Sequence, residues 1–191
     1  MDTTTEKYRV TKNYILLHKK NVSLSAAVIL GMLLLIAGLL WLISSNIPKV
    51  IYKPVAACEL FSMNEAKMLL GPNAILGNST TPIQSKNTAV SQCGYTDGNP
   101  NTASMIVAAV TVRSGVNDKG VEQNKAEFTA GRPKSGIEII KNLGDSAYFN
   151  RSVGQLNILS GKRWVIISYG YGNTPEKNTI TDAQTLAQLI L

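Results

Sequence analysis

The stretch Val90–Arg113, VSQCGYTDGNPNTASMIVAAVTVR, decides the fold. Val90–Thr96 reads as a strand, Asp97-Gly98-Asn99-Pro100 as a turn, and Ala103–Arg113 as the return strand. Asp-Gly between apolar runs signals an antiparallel hairpin, because both residues tolerate the positive φ of a tight turn. In the return strand Ile106, Ala108, Val110 and Val112 fall on one face, and Met105, Val107, Ala109 and Thr111 on the other. Both faces are largely apolar, so this strand is expected at the centre of a sheet, covered on both sides.

Toward the C-terminus, Asn117 or Asp118 can cap a helix reaching about Thr129. Its apolar face is thin (Val121 and Phe128, with Ala126 nearby), and Gly120 weakens it. Gly131–Gly136 is a loop by composition. Strands are expected over Ile137–Lys141, Asp145–Asn150, Gly154–Leu159 and Arg163–Tyr171, with Ser160-Gly161-Lys162 as the last hairpin turn. In the last of these Val165, Ile167 and Tyr169 oppose Trp164 and Ile166, the pattern of a second central strand. Thr181-x-x-Gln184 reads as a capping box opening a terminal helix with apolar positions Ala183, Leu186, Ala187 and Ile190.

Toward the N-terminus, Asn73–Asn87 is polar, contains Gly77 and Pro82, and reads as an irregular loop. Ser62-x-x-Glu65 is a capping box, so a helix starts at Met63, turns Phe61, Ala66, Leu69 and Leu70 to a core, and stops at Gly71-Pro72. The order lacks the strand–helix alternation of a parallel sheet. It predicts an α+β fold, an antiparallel twisted sheet with helices packed on it.

Ahead of this domain lies Leu24–Ile43, LSAAVILGMLLLIAGLLWLI, without a charge. At about 1.5 Å per residue it is long enough to cross the roughly 30 Å hydrocarbon core of a bilayer. The expected organisation is therefore a basic tail over 1–23, a transmembrane helix over 24–43, a linker over 44–54 kept extended by Pro48 and Pro54, and a domain over 55–191. Lys19 and Lys20 adjoin the span on one side, whereas Lys49 and Lys53 lie further off on the other. The bias of cytoplasmic loops toward Lys and Arg predicts a single-pass protein of the cell membrane, N-terminus cytoplasmic and C-terminal domain extracytoplasmic. The run exceeds the 7–15 residues of a signal-peptide core, so an uncleaved anchor is expected. A cleaved signal and a lipid-modified Cys58 stand as alternatives. Ala27, Gly31 and Gly38 share a helical face, together with Leu34 and Ser45, and small residues there would let two spans dimerise. The bilayer and a second copy are thus expected partners.

The 191 residues carry a formal net charge of +7. Outside the tail no run of Lys and Arg is interleaved with aromatics, so no nucleic-acid partner is expected. The two cysteines, Cys58 and Cys93, both fall on the outer side, where a pair is most simply a disulfide. They lack the histidine partners of a zinc site and the C-x-x-C spacing of a redox pair. The one histidine, His18, lies in the tail, so the outer domain has no Ser-His or Cys-His couple. Its acids are scattered, and no glycine-rich phosphate loop is present. No enzymatic activity, metal or cofactor is expected.

Two loops offer candidate binding residues. One is Gly131–Gly136, with Arg132 and Lys134 around Pro133; the other is Tyr169–Pro175, with Tyr169 and Tyr171 at the end of a central strand. Aromatic and Arg side chains on loops carried by a rigid sheet make economical anchors. The competing reading is that Tyr169 belongs to the core and the cations only solvate a turn.

Cys58-Glu59-Leu60-Phe61-Ser62-Met63-Asn64-Glu65-Ala66 through Leu70-Gly71, then Cys93-Gly94-Tyr95 and Gly144-Asp145-Ser146-Ala147-Tyr148, also carry a likeness. They resemble the extracytoplasmic lipoproteins of actinobacteria typified by LpqN, and are similar to the outer sensor domain of the mycobacterial kinase PknH. The likeness spans most of Ala57–Leu191. It implies an antiparallel sheet sandwiched by helices, PsbP-like, with binding rather than catalytic roles. This chain departs from the pattern in having a membrane helix for a lipid anchor, no kinase domain and a single disulfide. The expected function is a membrane-anchored extracytoplasmic binding or sensory module of a bacterial envelope, its ligand a protein or small molecule outside the membrane. The alternative is a structural or assembly component of an envelope complex.

Overall fold

The computed structural model describes residues 31–36, 38 and 50–191. The hairpin built on Val90–Arg113 lies within a seven-stranded, wholly antiparallel sheet. Its strands are β1 (Ile75–Gln84), β2 (Thr88–Thr96), β3 (Ile106–Gly115), β4 (Ile137–Ile140), β5 (Ser146–Asn150), β6 (Gln155–Ser160) and β7 (Arg163–Tyr171). The spatial order is β1-β2-β3-β7-β6-β5-β4, which puts β3 and β7 side by side in the interior. The helices are α1 (Ala57–Leu60), α2 (Met63–Leu70), α3 (Asp118–Ala130) and α4 (Ile180–Ile190), with a 3-10 turn at Pro175–Lys177 before the last. The fold is α+β.

Alternation along the strands sorts the residues onto two faces. Ala108, Val110 and Val112 of β3, Val165 and Ile167 of β7, Leu156 and Ile158 of β6 and Phe149 of β5 form one face, all at most 1% exposed. Phe61 between α1 and α2, Ala66 of α2, and Ala183, Leu186 and Ala187 of α4 close over it. Each large apolar side chain buried here contributes about 1.5–3 kcal/mol. The expected apolar stripe of α4 matches the buried positions Ala183, Leu186, Ala187 and Ile190. The Cys58 and Cys93 sulfurs are bonded, tying α1 to β2 under this layer.

α3 packs on the opposite face through a smaller cluster. Phe128 meets Tyr148 with ring centroids 5.1 Å apart and Trp164 edge-on at 5.8 Å, and Leu159 completes the contact. Asn117 caps this helix by accepting from the Gly120 N–H at 2.9 Å. Ser62 and Glu65 form the expected capping box of α2.

Four expectations give way. Asn73–Asn87 is not an irregular loop: Ile75–Gln84 is the edge strand β1. Nearly all of it is solvated, so it has no reason to alternate, and its irregular pairing accommodates Pro82 at the edge of the sheet. β3 starts at Ile106, not Ala103, because a chain of Asx turns holds the preceding loop. The Asn99 N–H donates to Asp97, Asn101 to Asn99 and Ala103 to Asn101, at 2.9–3.1 Å. The cap of α4 is Thr179, which accepts from the Asp182 N–H, so Thr181 lies inside the helix. Finally, β3 is covered fully on one face only; Val107, Ala109 and Thr111 on the other stay half-buried.

Residues 31–36 and 38 are helical, and Gly31 and Gly38 have open space around them. Ala27, the basic tail and the rest of the expected span lie outside the described residues. Among the described residues no helix is long and apolar enough to cross a membrane.

Candidate functional site

The structure does not gather the four candidate binding residues. Tyr169 stands on the helix-covered face and donates its hydroxyl to the Leu69 carbonyl at 3.2 Å, joining β7 to α2. Burial pushes its pKa up, with the Asp182 carboxylate adding to the effect. Tyr171, two residues on along the same strand, is 45% exposed and sits opposite Ile106 of β3. Arg132 and Lys134 are exposed in the loop leading to β4, which is separated from β7 by β6 and β5. Burial raises the pKa of Tyr148 on the α3 face, and the charge of Arg132 opposes it. Arg132 and Tyr171 thus belong to elements with two strands between them.

A second surface was not legible in any motif. On the α3 face, register aligns Asn78, Gly94, Ala109, Ser168, Gln155 and Asn150 in one row across six strands. Thr80, Gln92, Thr111, Ile166, Asn157 and Tyr148 form the next. α3 covers the third, where Arg113 lies beside Trp164 and pairs with Glu127, and the β5–β6 end of the second, where Phe128 packs on Tyr148 and both Tyr148 and Asn157 are buried. The hydrogen bonds from Arg113 and, at 2.7 Å, from Gln123 pull the Glu127 carboxyl down to about 2. Trp164 is held by donating to Asn157 at 3.1 Å. The uncovered parts of the first two rows contain no charged residue. Small side chains at Gly94, Ala109 and Ser168 make a shallow floor, and amides and hydroxyls offer donors and acceptors around it. Such a floor can seat a neutral, hydrogen-bonding partner. The only sequence signal for it is the run of small and uncharged residues on alternate positions of β2, β3 and β7.

A third cluster lies where the chain joins the domain. The expected linker is partly docked: the Tyr52 N–H donates to the Val116 carbonyl at 2.8 Å, and its hydroxyl donates to Asp118 at 2.6 Å. The Lys162 ammonium stands 3.5 Å from the centre of the Tyr52 ring. The bond to Asp118 raises the Tyr52 pKa, because that carboxylate favours the protonated phenol. Ser91 then bridges the backbone of Val55 and Ala57 at 3.0 and 2.9 Å.

Most acids of the domain have structural partners. Glu65 caps α2, Asp145 accepts from the Gly161 N–H at 2.7 Å, Glu122 meets Lys125, and Glu138 meets Arg151. Among the described residues no three His, Cys, Asp or Glu side chains gather where a metal ion could bind. In comparisons with known proteins, no family model, curated protein or solved structure matches the chain.

Proposed function

We propose that this chain is a membrane-anchored binding or sensory module of a bacterial envelope, acting outside the cytoplasm by binding rather than catalysis. The open, uncharged part of the α3 face carries this reading. A sheet face backed by a fully packed core on the other side is rigid, so partner groups meet donors and acceptors already in place. The disulfide supports an oxidising compartment. The uncharged span Leu24–Ile43 supports anchoring. Helices on both faces of an antiparallel sheet suit the PsbP-like arrangement that the likeness to the LpqN lipoproteins and the PknH sensor domain implies.

The assembly reading finds its own support in β1. This edge strand has no charged residue, and its Ile75, Leu76 and Ile83 are exposed. A photo-crosslinking residue placed in intact cells separates the two. On the binding reading, Ser168 gives an adduct that Ala109→Arg abolishes. Adducts from Ile83 alone transfer the function to assembly through β1. Thiol labelling of Asn173→Cys, with Thr4→Cys protected, tests the orientation; the reverse pattern removes the extracytoplasmic assignment.

A further inference from the structure

The end of the domain that receives the chain combines three features that the binding reading leaves unused. The first is apolar. Val50 and Ile51, just before the docked Tyr52, are 49% and 80% exposed. Two adjacent aliphatic side chains are thus held out beside a fixed backbone, away from the domain's core among the described residues.

The second feature is charge. The β1–β2 turn brings Lys86, the start of α3 brings Lys119, and the β6–β7 turn brings Lys162, with Lys53 next to Tyr52. Hydrogen bonds join these segments into one surface. Asn117 donates to the Lys86 carbonyl at 3.4 Å, the Gly115 N–H donates to the Lys162 carbonyl at 2.8 Å, and Tyr52 bridges Val116 and Asp118. All four lysines are exposed. Of the acids facing this end, Glu122 is paired with Lys125, while Asp118 and Asp145 accept from Tyr52 and Gly161 and are outnumbered by the four lysines. At the opposite end of the sheet cations and acids are mixed: Lys134 and Lys177 accompany Asp97, Glu176 and Asp182, and Arg151 is paired with Glu138.

The third feature is the tether. Eight residues separate Ile43, the end of the apolar run, from Tyr52. Even fully extended at about 3.5 Å per residue they reach only about 28 Å. A domain held by Tyr52 therefore keeps this end within reach of a bilayer spanned by Leu24–Ile43.

We propose that this end of the domain docks on the lipid surface, Val50 and Ile51 entering the headgroup boundary while Lys53, Lys86, Lys119 and Lys162 pair with anionic phosphates. Aliphatic side chains flanked by lysines suit that boundary, where apolar burial and attraction to anionic lipid act together. The inference rests on the membrane-anchored reading. It leaves the Asp97–Met105 and Gly172–Thr179 loops pointing away from the bilayer.

The test uses the full chain reconstituted in vesicles of phosphatidylcholine, with and without phosphatidylglycerol, carrying a spin label on the headgroups. A fluorophore sits on Lys119→Cys or, for comparison, on Asn173→Cys. Docking gives several-fold stronger quenching at 119 than at 173. That excess requires phosphatidylglycerol, weakens with added salt as screened attraction must, and is lost in Lys53→Gln/Lys86→Gln. A chain that stays in the vesicles through alkaline extraction yet shows equal quenching at the two positions overturns the docking alone, and hands the basic end to a soluble polyanion. A chain stripped off by alkaline extraction overturns the anchor itself, and with it the tether.

Discussion

Gly120, in the first turn of α3, packs directly against the backbone carbonyl of Asn87, with no room between them for a Cβ. The same carbonyl accepts from the Val116 N–H at 2.9 Å, so it cannot move aside freely. Gly115 is also close from below: a Cβ there would lie 2.6 Å from the Val121 nitrogen. Helix propensity alone says that Gly120→Ala should stabilise α3 by about 1 kcal/mol. The collision outweighs that, and the expected result is a net loss of about 1–3 kcal/mol. Urea denaturation of the variant measures it, and an unchanged or raised midpoint contradicts the contact.

The Cys58–Cys93 bridge closes a chain segment of sequence separation 35. On the chain-entropy account, a loop of that size is stabilised by about 3–4 kcal/mol. Peptide mass analysis without reductant should show the two residues linked. Cys58→Ser/Cys93→Ser should lower the melting temperature while membrane insertion stays as before. Free thiols in protein purified from its native compartment would remove the bridge.

The Arg113–Glu127 pair links β3 to α3 beside Trp164. A carboxyl held at about 2, against an ordinary value of 4.5, binds its proton more weakly in the folded than in the unfolded state. Its contribution to stability is therefore complete above pH 4.5 and is lost as the pH falls toward about 2. Glu127 is 45% exposed, so solvent screening keeps the effect modest. Glu127→Gln should lower stability at pH 7, and the gap to the native chain should narrow across that acid window. A gap that is constant with pH would show that the carboxylate charge contributes nothing.

What the sequence revealed follows the physics of burial. β3 and β7 were legible as short apolar runs bounded by turn residues, and α4 because one-sided burial imposes a period of 3.6. β1 was not, because an edge strand in water on nearly every side has neither signal, and its Pro82 imitates a loop. Gly120 reads as a helix weakness until the Asn87 carbonyl appears against it, a contact between residues far apart in sequence. Tyr169 and Tyr171 stood as candidates beside Arg132 and Lys134, because a list of loops does not reveal how many strands lie between them. The uncharged rows around Ala109 and Ser168 depend on the register of six strands, which no local pattern encodes.

Asn124 lies mid-helix in α3, fully buried, where a helix heptad would place an apolar residue. Its Nδ2 donates to the Arg113 carbonyl at 3.0 Å and to the Lys162 carbonyl at 3.2 Å, fastening α3 across the ends of β3 and β7. Its Oδ1 has no partner among the described residues. The Lys162 carbonyl also accepts from the Gly115 N–H; both Asn124 contacts are to carbonyl oxygens, which only accept, so the amide orientation follows from them. Asn124→Ala removes that donor at both carbonyls and should cost about 1–3 kcal/mol. Asn124→Asp keeps the shape but sets a carboxylate against two carbonyl oxygens in a fully buried site. It should cost more than Ala, and the loss should shrink at acid pH, where the protonated carboxyl regains one donor. Stability curves for the two variants at pH 7 and pH 4 decide the matter. If Asp is tolerated as well as Ala at neutral pH, Asn124 only fills space, and α3 is held to the sheet by Phe128, the Arg113–Glu127 pair and the glycine contacts.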